Sequence, residues 1–400
     1  MKNLVVNAGS SSLKFQLIET DGEKLLAGGI CEEIGAKSRF KFKVPGREDY
    51  VTDAKMPTHS EAIKLVLDTL TDKKLGVIDS VSEIGAVGHR VVHGGEKFSG
   101  SVLITDDVKA SIVENSDLSP LHNPANLIGI RACEELMNVP QVAVFDTSFH
   151  QTMPDYAYMY AIPYEYYDKY KLRRYGFHGT SHRYVSERAA AMLGKAPENV
   201  NVVTCHLGNG SSIAAVKGGR CLDTTMGVTP LEGMMMGTRS GNIDPAIIPF
   251  LMRKGEVTTA DDIDKLLNKK SGMLGINGVT TDNREILRMA EEGNERCRLI
   301  ERMFVHQLTK FIGGYVAAMR GADAIVFTGG IGENTSLYRE KVCENLEFLG
   351  VKIDPEKNKI RGQEIDISAD GAKVRVLVIP TNEELVIARD TYAIVSAMKK

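Results

Sequence analysis

No stretch of about 18 consecutive apolar residues occurs in the 400-residue chain, which excludes a membrane-spanning helix and any membrane partner held by one. Basic residues form no run beyond two or three, and the net charge is −3, so no positive field argues for nucleic acid. The six cysteines, Cys31, Cys133, Cys205, Cys221, Cys297 and Cys343, are dispersed and contain no C-x-x-C. The opening Met1-Lys2-Asn3 runs at once into a strand-like segment, too short and too soon polar for a signal peptide. Reduced thiols in a cytoplasmic protein are therefore expected, with Cys205 a small buried residue at a strand end. G-x-x-x-x-G-K-[ST], a helix-opening G-x-G-x-x-G, H-E-x-x-H and G-x-S-x-G are all missing. These absences argue against a P-loop NTPase, a dinucleotide enzyme, a zincin and an α/β-hydrolase. Low-complexity tracts and short repeats are absent too.

What is present reads as a soluble two-domain protein, with 43% apolar and 25% charged residues. Residues 7–15, NAGSSSLKF, follow the apolar run Leu4-Val5-Val6 and precede Phe15, Leu17 and Ile18. The pattern is strand, tight polar turn, strand. Gly9, Ser10, Ser12 and Lys14 suit phosphate, because small residues let backbone N–H groups approach an anion and hydroxyls and a lysine add donors. A second such turn, HLGNGSS over residues 206–212, follows the apolar run Val200 to Val203, with Gly208 in the place of Gly9 and Ser211 in that of Ser12. Two such turns half a chain apart predict a duplicated unit with phosphate held between the copies.

Further strands are expected at 25–30, 40–44, 84–92, 141–145, 213–216, 324–327 and 374–379. Helices are expected at 59–71, with Ser60 as N-cap, and at 106–115, 125–135, 245–253, 260–268, 283–292 and 295–320, with a last one opening at Glu383-Glu384. A glycine turn is expected at 328–334, TGGIGEN. Residues 224–244 form a long loop rich in glycine and methionine, and such loops are usually functional. The tyrosine-rich stretch 151–175 reads as the crossover between domains, its rings suited to a domain or subunit interface.

Several polar residues stand where the pattern calls for a task or a partner. Arg90 ends a buried strand, where an ion pair and a ligand role are equally open. Arg239, in GTRSG, reads as a ligand clamp, since guanidinium forks match carboxylate and phosphoryl oxygens. His178 lies in YGFHGTSH and is a candidate donor to a phosphoryl group. His122, before Asn123-Pro124, is divided between capping and turn roles, and His206 between phosphate contact and strand end. Asp146 ends a buried strand, where a charge needs a partner. Glu383 and Glu384 are ordinary first-turn residues, or, with Asn7, ligands for a hard divalent cation.

Taken together, NAGSSSLKF, GHRVVHGG, LHNP, FDTSFHQTMP, RRYGFHGTSH, HLGNGSS, GTRSGNIDP, FTGGIGEN and PTNEE resemble, in order, the motifs of the acetate kinase family over nearly the whole chain. The resemblance implies an α/β fold shared with sugar kinases, heat-shock chaperone ATPases and actin: two duplicated actin-like (ribonuclease H-like) domains with a nucleotide cleft between them. Domain I would be 1–150 plus 383–400, domain II 151–382, and the protein a homodimer. The reaction implied is reversible transfer of the ATP γ-phosphoryl group to acetate, giving acetyl phosphate and ADP. By matching position, Asn7 and Glu383 resemble the ligands of Mg²⁺ or Mn²⁺. Lys14, His206, Leu207, Gly208, Asn209, Gly210, Asp282, Asn283, Arg284, Gly329, Gly330, Ile331, Gly332 and Glu333 resemble ATP contacts. Arg90 resembles the substrate arginine, and Asp146 the acid/base position, better read as orienting an arginine and the acceptor. His178 and Arg239 resemble transition-state stabilisers, and Val92, Leu121, Phe177 and Pro230 an apolar pocket for the acetate methyl, with His122 beside it. The alternatives are a propionate or butyrate kinase and a non-enzymatic nucleotide switch.

Overall fold

The computed structural model describes residues 1–120 and 122–398. The chain forms two compact units, Met1–Gln151 with Asn382–Lys400, and Thr152–Thr381.

The first unit is built on an eight-stranded sheet: β1 (Lys2–Ala8), β2 (Leu13–Glu19), β3 (Lys24–Glu32), β4 (Arg39–Lys43), β5 (Tyr50–Asp53), β6 (Ile84–Val91), β7 (Val102–Leu103) and β8 (Gln141–Phe145). Their spatial order is β5-β4-β3-β2-β1-β6-β8-β7. β1 to β5 run as an antiparallel meander, while β6 and β8 lie parallel to β1. β2 alternates as its sequence demands, with Leu13, Phe15 and Leu17 buried and Lys14 exposed. The rings of Phe15, Phe40 and Phe42 stack across β2 and β4 at centroid distances near 6.2 Å. β1 and β8 instead read as continuous apolar runs, because helices cover both faces there. Helices His59–Leu70 and Asn123–Leu136 lie on one face, and the C-terminal helix Glu383–Ala397 packs against β1, β6 and β8. The first of these begins where expected but with a different N-cap. Thr58, not Ser60, is the N-cap, and a capping box with Glu61 satisfies two N–H groups reciprocally.

The C-terminal helix docks closely because residue 88 of β6 is glycine. A Cβ there would lie 2.4 Å from Thr391 Oγ1 and 2.6 Å from Ile387 Cγ2. Gly88→Ala should therefore cost about 1–3 kcal/mol of overpacking. Thermal unfolding checks this, and a parent-like midpoint would show that the helix gives way freely.

The second unit has a six-stranded sheet: β9 (Asn201–Leu207), β10 (Ser211–Lys217), β11 (Arg220–Thr224), β12 (Ala324–Thr328), β13 (Ile365–Asp366) and β14 (Arg375–Val378), in the order β11-β10-β9-β12-β14-β13. Gly218 and Gly219, at φ 57° and 74°, make the two-residue turn between β10 and β11 that a hairpin twist requires. The 25-residue helix Glu295–Met319 buries Ile300, Phe304, Leu308 and Ile312 on one face of this sheet. Helix Gly179–Met192 covers the other with Val185 and Ala189.

The two sheets share one pattern. β3-β2-β1-β6-β8 and β11-β10-β9-β12-β14 are both an antiparallel meander followed by two strands parallel to the first. The chain is thus a duplicated α/β protein. One expectation is corrected: residues 329–334 are not a glycine turn but a six-residue helix, Gly329–Asn334. Glu333 Oε1 accepts from the Gly329 N–H at 2.8 Å, capping that helix from within and so overriding the low helix propensity of its glycines. All six cysteines are buried and none forms a disulfide; burial pushes the Cys205 thiol well up.

Candidate active site

In the first unit, three neighbouring parallel strands end together. Their carboxyl ends carry Asn7 on β1, Arg90 on β6 and Asp146 just beyond β8, where open α/β sheets present ligand sites. Arg90 grips Asp146 with both arms of its fork, Nε to Oδ1 at 3.0 Å and Nη2 to Oδ2 at 2.5 Å. Its remaining arm, Nη1, lies 3.4 Å from Asn7 Oδ1. Glu383, the first residue of the C-terminal helix, approaches Arg90 Nε at 3.9 Å. Asp146 is 1% exposed, so its charge depends on this arginine. Burial works against the Arg90 charge, but Asp146 and then Glu383 hold it firmly protonated.

Glu383 is the weak member of the cluster. Burial pushes its carboxyl up to about 7; Asp146 and Glu384 add to this, while Arg90 and Lys14 oppose it. Three acids thus surround one arginine and one lysine. A divalent cation would relieve that imbalance, and Asn7 Oδ1 with the Glu383 carboxylate is an oxygen donor set suited to a hard ion. Among the described residues no group of three or more His, Cys, Asp and Glu forms a closed metal site. The donors present fit an ion held mainly by phosphate and water.

The same shift sets a pH dependence. Folded Glu383 keeps its proton up to about pH 7, whereas unfolded it would lose it near 4.5. Between those values the folded chain binds more protons, so stability falls as pH rises. Without added divalent cation, Glu383→Gln should gain on the order of 1–3 kcal/mol relative to the parent between about pH 5 and pH 8. Denaturant titrations at the two pH values check it; a constant difference would contradict the linkage.

In the second unit, His178 precedes helix Gly179–Met192 with φ 57°, a left-handed conformation unusual for histidine. Its Nδ1 meets Ser212 Oγ at 2.8 Å, and its ring stacks on His206 at 4.2 Å between centroids. His206 Nδ1 meets Ser181 Oγ at 2.8 Å, which also accepts from Thr381 Oγ1. Arg239 comes to the same place: a Cβ on Gly210 would lie 3.4 Å from His178 Nε2 and 3.6 Å from Arg239 Nη1. Nη1 of Arg239 donates to the Pro230 carbonyl at 3.2 Å and lies 3.7 Å from Met236 Sδ. It forms no ion pair among the described residues, and burial alone weakens its hold on its proton. A half-buried cation beside a histidine and a glycine turn has the chemistry to bind an anion.

A cleft of about 1070 Å³ opens in this unit, large enough for a nucleotide. Of the sequence-derived nucleotide residues, Gly208, Asn209, Asp282, Asn283, Arg284, Gly330 and Ile331 line it. His206, Leu207, Gly210, Gly329, Gly332 and Glu333 are not among its lining residues, and Ser10, Ser12 and Lys14 belong to the first unit. Several of the expected ATP contacts already have bonds within the chain. Asp282 caps helix Asn283–Glu291, and the Arg284 guanidinium holds its carboxyl down at about 2. Asn283 donates to Thr335 Oγ1 and accepts from the Tyr338 hydroxyl. Glu333 also accepts, at 3.4 Å, from the Thr381 N–H.

The cleft also includes Gly237, Thr281, Arg288, Glu291 and Arg361, which sequence reasoning missed. Arg284, Arg288 and Glu291 share one face of a helix, a spacing that could have revealed them; Arg361 carried no such signal. A Cβ on Gly237 would come within 2.1 Å of Asn209 Oδ1, so a larger residue there would make that side chain move. Of the apolar pocket residues, Val92 and the half-buried His122 lie in the first unit, and Phe177 and Pro230 in the second; Leu121 lies outside the described residues.

Residues 2–389 match the model of the acetokinase family. The chain belongs to the acetokinase family. Among acetokinase relatives, it is 57% identical to the acetate kinase of Treponema denticola over 397 residues, covering 99% of this chain and 100% of that one. It is 58% identical to the acetate kinase of Thermotoga maritima, covering 99% of each. Acetate kinase from Porphyromonas gingivalis has a similar structure, with a TM-score of 0.95 at 50% identity, over 98% of this chain and 99% of that one. A propionate kinase from Francisella tularensis gives 0.91 at 43% identity, with the same coverage. This acetokinase chain therefore shares their two-sheet α/β fold.

Proposed function

We propose that the chain is an acetate kinase, transferring the γ-phosphoryl group of ATP to acetate by direct in-line displacement and running in reverse from acetyl phosphate and ADP. The observation that carries this reading is Arg239, a desolvated guanidinium beside His178 with no carboxylate among the described residues to neutralise it. A nucleotide switch has no use for such a group, whereas a transferring phosphoryl carries charge on oxygens that guanidinium and imidazole can stabilise. The names of the acetokinase relatives support acetate as acceptor.

Arg90 is assigned the acetate carboxylate, through the arm that Asp146 leaves available. Asp146 holds that guanidinium in register; a carboxylate acceptor has no proton to give up at neutral pH, so a general base has no work there. An acetate oxygen attacks phosphorus as the bond to the ADP oxygen breaks, and Arg239 and His178 take up the charge on the equatorial oxygens. Asn7 and Glu383 would hold Mg²⁺ or Mn²⁺, which, when bound, draws charge from the nucleotide phosphates. The turn at Gly208 to Gly210 and the cleft residues Asp282 to Arg284 and Gly330 to Ile331 are assigned the nucleotide. The apolar residues Val92, Leu121, Phe177 and Pro230, with His122, are assigned the methyl side of the acceptor.

Hydroxamate trapping of acyl phosphate tests the reading with MgATP and acetate, propionate or butyrate. Acetate should react best. Propionate is expected as a slower substrate, since one methylene is worth only about 1–3 kcal/mol and a propionate kinase shares this fold. ATP hydrolysis without trapped acyl phosphate would overturn the proposal in favour of a switch.

The protein is further proposed to be a cytoplasmic homodimer. Helices Ile247–Lys254 and Ala260–Lys269 bury no residue within the chain, and Phe250, Tyr156 and Tyr164 are 51%, 80% and 63% exposed. Sedimentation at micromolar concentration should give twice the mass of one chain; a monomer throughout would remove the dimer.

A further inference from the structure

Behind His178 runs a chain of side-chain hydrogen bonds that reaches into the buried face of the second sheet. Ser212, fully buried on β10, is shared by two rings, with His178 Nδ1 at 2.8 Å and His182 Nε2 at 2.7 Å from its oxygen. His182 continues through Nδ1 to Thr204 Oγ1 at 2.7 Å, and Thr204 reaches the Ala214 carbonyl at 3.5 Å. His182, Thr204 and Ser212 are buried throughout.

The far end sets the direction. A carbonyl only accepts, so Thr204 gives its single proton to Ala214 and must accept from His182 Nδ1–H. His182 Nε2 then accepts from the Ser212 hydroxyl, and the Ser212 oxygen accepts from His178 Nδ1–H. The reverse order would forfeit the bond from Thr204 to Ala214. With the buried His182 ring neutral, only the first order makes all four bonds. Its consequence falls on the other nitrogen of His178, Nε2, which lies beside the Gly210 turn that Arg239 Nη1 also approaches.

We propose that Ser212, oriented by His182 and Thr204, is a positioning residue that keeps a proton on Nδ1 of His178, so that Nε2 is the nitrogen that titrates and donates to an anionic phosphoryl oxygen only as the imidazolium. The inference rests on the proposed phosphoryl transfer for its consequence in catalysis. The groups facing His178 oppose its charge. Arg239 is a cation, His206 is stacked against the ring, and the backbone N–H groups at the start of helix Gly179–Met192 present a positive end. Ser212 is the acceptor that counters them, and a bound phosphoryl anion would reinforce it.

Two measurements test the proposal separately from the function. Long-range ¹⁵N–¹H spectra of the substrate-free protein, with His178 identified by its loss in His178→Asn, should show His178 with its proton on Nδ1 above its titration. A proton on Nε2 instead would overturn the relay whatever reaction the protein catalyses. In the forward assay, kcat should fall with rising pH through a single limb. Ser212→Ala should move that limb down by about one pH unit or more, with KM for acetate within about twofold of the parent. Should Ser212→Ala not fold, Thr204→Val removes the end of the relay and should move the limb in the same direction by less. A limb at the same pH in parent and variant would overturn the positioning role. A correct tautomer with no acyl phosphate formed would fail the function and leave the relay standing.

Discussion

Arg239→Ala is expected to lower kcat by a factor of roughly 10³ or more while leaving the protein folded. The two halves of that expectation have the same cause. Arg239 is half-buried, burial weakens its charge, and no carboxylate among the described residues compensates it. In the resting protein the group is therefore a cost, offset only in part by the Pro230 carbonyl and the Met236 sulfur. Removing it relieves desolvation and deletes two weak contacts, so the thermal midpoint should change little. What is lost is charge stabilisation that exists only when a phosphoryl group is in transit. Arg239→Lys should recover only part of the rate, since an ammonium lacks the planar fork. Steady-state kinetics with thermal unfolding checks both halves. Turnover within tenfold of the parent in Arg239→Ala would remove Arg239 from the chemistry.

Asp146→Ala should do the opposite, damaging fold and acceptor binding together. Asp146 supplies two charge-assisted bonds to Arg90, at 3.0 and 2.5 Å. Losing one member of a buried pair typically costs about 3–5 kcal/mol. Arg90 then turns to its next acid, Glu383, already 3.9 Å away. That capture should raise KM for acetate by about 10- to 100-fold, through loss of an oriented guanidinium worth about 1.4–2.7 kcal/mol. ATP affinity should change much less. Asp146→Asn keeps the shape and one bond and should fall between. An Asp146→Ala enzyme with parental KM for acetate would show that Arg90 needs no help in finding the acceptor.

The sheet pattern was largely readable from residue order. β2 and β10 follow turns rich in glycine and serine, and apolar runs mark β1, β8, β9 and β12 as strands covered on both faces. The duplication was visible because backbone turns are local, although the matching glycine and serine close loops of different length, residues 9–12 in one copy and 208–210 in the other. Local misreadings have local causes. Thr58 outcompeted Ser60 as N-cap because only Thr58 stands three residues before Glu61. Gly329 to Asn334 became helix because Glu333 folds back on Gly329, a bond that composition does not announce.

The candidate site was less legible. Motifs marked Arg90, Asp146, His178 and Arg239 as residues with a task, but not their partners. Arg90 and Asp146 are 56 residues apart and meet because β6 and β8 are adjacent and in register. His182 and Ser212, 30 apart, meet because helix Gly179–Met192 lies on β9, the neighbour of β10. Arg361 reaches the cleft from a segment with no motif at all.

By itself, then, the sequence determined which family the chain belongs to, where many of its strands and helices lie, though not helices Gly179–Met192 and Ser336–Asn345, and which polar residues stand at strand ends, because all of these are written in neighbouring residues. Tertiary structure alone decided how charges are paired: that Asp146 occupies the fork of Arg90, that Glu383 is crowded by other acids, that Arg239 stands without a counter-ion among the described residues, and that Ser212 bridges two histidines. Such assignments depend on distances of a few ångströms between residues far apart in the chain, and only strand register and helix packing set those distances.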